Sequence, residues 1–163
     1  MQVNSTRFGT LDVADDAIIK MPRGILGFET YNEYCLIQHR PDTAFRWLQS
    51  TEEASLAFVV VEPTAFYTDY EFDIPDADAE KLDIKKVEDV LALVIVTIGK
   101  NGQETTSNLA APLIINTSNL KAMQVVLQDP RYSIKQPLVT TEVKTSSEET
   151  KETEQEKIMV KAA

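Results

Sequence analysis

Leu56-Ala-Phe-Val-Val-Val61 is an unbroken apolar run, β-branched at its end and stopped by Glu62-Pro63. A run of this kind bounded by a proline reads as a strand. Leu91 to Ile98 is a second such run, apolar enough to be buried on both sides, and Asn101-Gly102 after it is a hairpin-type turn. Tyr34 to Gln38 and Phe45 to Gln49 are short strand candidates around the polar turn Arg40-Pro41-Asp42. Ala17 to Met21 is closed by the breaker cluster Pro22-Arg-Gly24. Tyr70, Phe72 and Ile74 alternate with Glu71 and Asp73, the period of a half-buried strand. Leu113 to Ile115, Met123 to Leu127 and Tyr132 to Ile134 complete the series, the second of them equally compatible with helix.

Helix is confined to the middle of the chain. The stretch Asp76-Ala-Asp-Ala-Glu-Lys-Leu82 fits one or two turns with Asp76 or Asp78 as N-cap, and Lys85 to Asp89 fits one more. Short, closely spaced strands with so little helix predict a mainly β chain, an antiparallel barrel or sandwich. Composition breaks near Thr140. Residues 140–163 hold six Glu and four Lys without an aromatic, glycine or proline, and carry −2 of the formal charge of −10. Such a segment buries too little apolar surface to offset its ordering entropy. It is expected to be a mobile tail on one domain spanning residues 1–139, a frayed or partner-induced helix being the other reading.

At 163 residues the chain suits one domain that needs neither metal nor disulfide to fold. Its one cysteine, Cys35, excludes an internal disulfide, and its one histidine, His39, leaves no second imidazole for a His-rich metal site. No apolar run approaches the roughly 18 residues that span a bilayer. Residues 1–9 lack the basic and hydrophobic parts of a secretory signal. A soluble, cytoplasmic protein without membrane contact is expected. A charge of −10 repels phosphate, which disfavours direct nucleic-acid binding, and it favours encounter with a basic partner protein. Acidity that serves only solubility is the plainer alternative.

Catalytic groupings are weak. Cys35 and His39 share a strand face but stand roughly 13 Å apart along an extended chain, so Cys35 reads as a core residue and His39 as an exposed turn residue. Gly24-Ile-Leu-Gly27 lacks the spacing and the lysine of a phosphate loop and reads as a tight turn. Asp69, Glu71 and Asp73 share one face of an extended strand, where paired carboxylates can do acid–base work or hold Ca²⁺. Their spacing lacks the glycine and distal glutamate of an EF-hand, and a solvated strand face explains them. Thr105-Thr-Ser-Asn108 has no basic neighbour to activate a hydroxyl. No catalytic residue, metal site or cofactor is expected. The aromatics offer more. Phe66 and Tyr67 follow Pro63 in a turn-like stretch, with Tyr70 and Phe72 just beyond, more apolar area than a short turn usually buries. A partner site is expected over Pro63, Phe66, Tyr67, Asp69, Tyr70 and Glu71, with at least one of Phe66 and Tyr67 exposed. Trp47 is either a core anchor or a contact aromatic.

Taken in order, Pro22-Arg-Gly-Ile-Leu-Gly-Phe28, Trp47-Leu-Gln-Ser50, Leu56-Ala-Phe58, Pro63-x-x-Phe66-x-x-Asp69-Tyr70, Asn108-Leu-x-Ala-Pro112 and Ile115-Asn116 resemble the flagellar assembly factor FliW family. The resemblance covers residues 1 to about 138 and implies nothing for the tail. It implies a small β-barrel-like, non-enzymatic protein of the bacterial cytoplasm; with the pattern read above, the expectation is a small antiparallel β-barrel-like single domain with one or two short helices, a monomer. It implies two alternative protein partners: flagellin before export, and the carbon storage regulator, an RNA-binding translational repressor that the factor antagonises. A flagellin chaperone without regulator binding, and a β-barrel hydrolase or carbohydrate-binding module using the Asp69/Glu71/Asp73 face, are the competing readings.

Overall fold

The structure is a computed structural model that describes residues 1–100 and 104–138. The Asn101-Gly102 turn and the tail from Thr140 lie outside the described residues. Four strands form an antiparallel meander: β4 (Glu33–Ile37), β5 (Arg46–Ser50), β6 (Ala57–Val61) and β7 (Val90–Thr97). Their register sets Leu36 opposite Leu48, Leu48 opposite Phe58, and Val60 opposite Ile95. The hairpin β9 (Leu113–Asn116) and β10 (Ala122–Gln124) pairs with the first half of β7. β8 (Thr106–Ser107) pairs with its second half, and β11 (Gln136–Pro137) with β8. β3 (Ile19–Lys20) flanks β4 at the opposite end. That end curls round to β10: the Lys20 amide donates to Leu120 O at 2.9 Å, and Lys20 forms a single parallel bridge with Lys121. The mainly β, antiparallel expectation holds, and the sheet is barrel-like, joined by one bridge rather than closed by a full ladder.

Every residue of β6 is buried because the strand has cover on both faces. Phe58 and Val60 point into the curl and pack with Met21, Tyr34, Leu48, Leu93, Leu113 and Ile115. Ala57, Val59 and Val61 point outward and pack with Trp47, Val94, Val96, Tyr70 and Leu109. That outer layer is closed by the chain following β6, so the segment after Pro63 is part of the core's roof. Trp47, 7% exposed, is a core anchor. It takes Phe8 edge-on at 5.6 Å and the Arg7 guanidinium over its ring at 4.5 Å.

Several local expectations change. Tyr70–Ile74 and Tyr132–Ile134 belong to no strand; neither finds a ladder partner, and pairing near the latter is confined to Gln136–Pro137. The helix α1 (Asp76–Lys81) has its cap position ahead of both expected caps, Asp76 and Asp78. Pro75 occupies the cap position without a side-chain bond, and Asp76 and Asp78 sit in the first turn, where their charge suits the helix dipole. Lys85 to Asp89 contributes a 3-10 turn at Val87–Asp89, and Met123–Leu127 resolves as strand over Ala122–Gln124. The hairpin β1 (Gln2–Ser5) and β2 (Gly9–Asp12) had no clear sequence signal. It lies in its own two-stranded sheet and packs Val3 against Ile18 and Cys35.

Candidate partner-binding face

Val61 ends β6, and Pro63 opens a 3-10 turn (Pro63–Ala65), where its missing N–H costs nothing and its fixed φ suits the first helical position. The amides of Phe66 and Tyr67 both donate to Pro63 O, at 3.1 and 2.8 Å, and Tyr70 N donates to Tyr67 O at 3.1 Å. The backbone of the turn is therefore fixed internally. Its side chains are then shared between core and surface. Pro63 and Tyr70 are buried and Asp69 and Glu71 exposed, while Phe66 and Tyr67 are both half-buried: neither is the exposed aromatic expected, because both pack against the outer core layer. The structure thus brings all six expected residues into one stretch, and it makes Pro63 and Tyr70 supports for the face rather than its surface.

Each aromatic has a specific anchor. The Phe66 ring lies 5.8 Å from that of Phe45. The Tyr67 hydroxyl donates to Pro137 O at 2.9 Å and shares a 3.0 Å bond with Ser107 Oγ, tying the turn to β8 and β11. Burial pushes the Tyr67 phenol above its usual range, with the Ser107 bond opposing the shift. Tyr70 donates to Leu109 O at 2.8 Å and meets Tyr132 edge-on at 4.6 Å. Its burial drives the phenol well above the ordinary value, with neighbouring Tyr132 adding to it. The Tyr132 hydroxyl donates to Glu71 O at 2.8 Å and accepts from Glu71 N at 3.0 Å. No local pattern marks Tyr132, Phe45 and Ser107 as neighbours of this turn, because distant chain segments supply them.

Beyond Glu71 a groove of about 510 Å³ runs between Glu71, Phe72 and Asp73 on one side and Leu127, Gln128, Asp129 and Arg131 on the other. Arg131 is committed within this group. It binds Asp129 Oδ2 at 2.7 Å, lies 3.9 Å from Glu71 Oε1 and stacks over the Tyr132 ring at 5.1 Å. The Arg131 side chain bonded to Asp129 holds that carboxyl below its usual range. Asp69, Glu71 and Asp73 do not line one strand face, since Asp69 lies in the turn and no ladder orders the three. Among the described residues no group of three or more His, Cys, Asp and Glu is placed to hold a metal ion. Cys35 is buried beside Val3 and Ile18, its thiol pushed up by burial, while His39 is exposed with its ring 5.1 Å from Phe8.

Among the described residues no helix is long and apolar enough to cross a membrane. The family model described as FliW protein matches residues 2–138. The flagellar assembly factor FliW of Syntrophus aciditrophicus (strain SB) is 42% identical over 135 residues, covering 83% of this chain and 85% of that protein. The protein of the same name from Bacillus subtilis (strain 168) is 36% identical over 138 residues, covering 85% and 96%. A crystal structure of the flagellar assembly factor FliW superposes with a TM-score of 0.79 at 32% identity, covering 86% of this chain and 98% of that one.

Proposed function

The chain belongs to the FliW family, and from that premise we propose that it is a cytoplasmic, non-enzymatic assembly factor whose alternative partners are flagellin and the carbon storage regulator. Unexported flagellin occupies the factor and leaves the regulator free to repress flagellin translation. Export drains flagellin, the factor captures the regulator, and translation resumes. The observation that carries this reading is the Pro63–Glu71 turn. Its backbone is rigid, its half-buried aromatics Phe66 and Tyr67 are fixed by internal contacts, and Asp69 and Glu71 stand exposed at its rim. Preorganised aromatics lose little entropy on contact, and a chain of charge −10 suits capture of a basic RNA binder.

Titration of the purified protein with flagellin and with the regulator, separately and in competition, tests the reading. Saturable binding of each, without added metal or cofactor, and displacement of one by the other are expected. Binding of flagellin alone leaves a flagellin chaperone. Simultaneous occupancy by both removes the exchange mechanism. Turnover of a glycoside or ester would instead revive the carboxylate-based hydrolase.

A further inference from the structure

Residues 70–74 carry the burial pattern of a strand without being one. Tyr70 is buried, Glu71 exposed, Phe72 half-buried, Asp73 exposed and Ile74 half-buried, the alternation of an extended chain. The stretch is tied at both ends. Tyr132 bonds both main-chain groups of Glu71, and Pro75 O accepts from Asp78 N and Ala79 N at 2.9 and 3.0 Å. Between these anchors the N–H and C=O groups of Phe72, Asp73 and Ile74 meet no hydrogen-bonding partner among the described residues. Unpaired main-chain groups on a segment anchored at both ends, with the side-chain alternation of a strand, form a template for an added strand.

The neighbouring groove says what chemistry fits. Phe72 and Leu127 supply apolar wall, and Glu71, Asp73 and Asp129 supply three carboxylates against the one guanidinium of Arg131, itself engaged by Asp129 and Glu71. We propose that Phe72–Ile74 is an acceptor strand for an extended, basic segment of a partner protein. Successive residues of a strand offer their N–H and C=O to opposite edges, and Tyr132 holds the Glu71 edge, so the partner's main chain pairs with Phe72 and Ile74 while its Lys or Arg side chains meet Glu71 and Asp73. The proposal rests on the reading of this face as protein-binding and adds the mode and the chemistry. Charge disfavours the other occupants: residues 140–163 carry −2, and a second copy carries −10.

The test uses the full ¹⁵N-labelled chain with an eight-residue peptide of alternating Lys and Val, blocked at both ends, and a Glu–Val peptide as control. The Lys–Val peptide should bind saturably and slow amide exchange at Phe72 and Ile74 by about tenfold or more, and at Asp73, whose N–H faces the other edge, by less. The paired variant Glu71→Gln with Asp73→Asn, both at exposed positions, should weaken that binding about tenfold with an unchanged melting temperature. No binding, equal binding of the Glu–Val peptide, or binding that leaves the Phe72 and Ile74 amides exchanging as before would overturn the proposal. The parent reading is judged separately. If flagellin or the regulator binds while exchange at Phe72–Ile74 is unaltered, strand addition fails and the protein-binding face stands. If neither protein binds, that face is what fails.

Discussion

Gly24 holds φ +64°, and a Cβ there would lie 2.6 Å from Glu29 Cα and 2.9 Å from the Phe28 and Glu29 carbonyl oxygens. Backbone cannot yield as a flexible side chain would, so Gly24→Ala should cost about 2–4 kcal/mol in denaturant unfolding. Gly27, at φ +91°, has open space around its missing Cβ, and Gly27→Ala should lose only about 1 kcal/mol. Equal losses would show that conformation alone, not the close approach, governs Gly24. Sequence marked both glycines as a turn but could not rank them, because Glu29 backbone proximity is a tertiary fact. Tyr34 makes a second residue-scale case. It is fully buried, and its hydroxyl finds no hydrogen-bonding partner among the described residues. Tyr34→Phe removes an unsatisfied polar atom and should leave stability unchanged or raise it by up to about 1 kcal/mol at neutral pH. Burial first, then the Glu52 and Tyr31 charges, push this phenol from 10.0 up to about 12. A raised acid favours the native state while protonated, so its contribution is complete below pH 10 and is lost as pH climbs toward 12. Tyr34→Phe should therefore flatten the alkaline fall in stability across that window; an unchanged alkaline limb would refute the linkage.

At the scale of elements, the legible strands are those whose sequence pattern and hydrogen-bonding partner agree. β6 and β7 are apolar runs, and each lies in the middle of the sheet with cover on both faces. Residues 70–74 show the opposite. Their alternation reports burial on one side correctly, yet a strand also needs a neighbour, and no local pattern encodes whether one exists. The hairpin β1–β2 carries no clear strand pattern because only Val3 and Ser5 of it are buried. Ser5 earns its place by donating from Oγ to Gln49 Oε1 at 2.8 Å, a contact 44 residues away. The turn after Pro63 was legible as an aromatic cluster but not as a roof, since the strands beneath it come from elsewhere in the chain. That dual role shapes its mutational signature. Phe66 and Tyr67 are half-buried, so truncation of either to alanine should cost about 1–2 kcal/mol of folding stability, less than the 3–5 of a fully buried aromatic. The same variants should weaken flagellin or regulator binding by about 1–3 kcal/mol if the turn is a hot spot. Tyr67→Phe, which removes only the bonds to Ser107 and Pro137, separates the two effects: about 1 kcal/mol of stability should go while the contact ring remains. Both alanine variants binding normally while folded would remove the turn from the partner site.

For the molecule as a whole, the family match ends at residue 138, and the composition break follows it at Thr140. Cutting the chain after Val139 should change stability by less than about 1 kcal/mol and leave flagellin binding intact, because segments of this composition contribute little burial. A large fall in melting temperature would show that residues 140–163 dock on the domain. Charge is the property that remains after every local contact has been assigned. Residues 1–139 alone carry −8, and the ion pairs at the candidate face, Arg131 with Glu71 and Asp129, leave Asp69 and Asp73 without a cationic partner among the described residues. Fields of this kind act over a Debye length of roughly 8–10 Å at physiological salt, so they govern encounter more than the docked state. Association with the basic regulator should slow markedly, by about tenfold, as salt rises from roughly 0.05 to 0.5 M, while dissociation changes little. Charge reversal at Asp69 and Glu71 should reproduce much of that slowing at low salt and flatten the salt dependence, because it removes the charges that salt would screen. Stopped-flow rates on the wild-type and reversed chains decide the matter. Association that ignores salt in both would place the binding energy and the steering on apolar contact, and the acidity of the chain would then serve solubility alone.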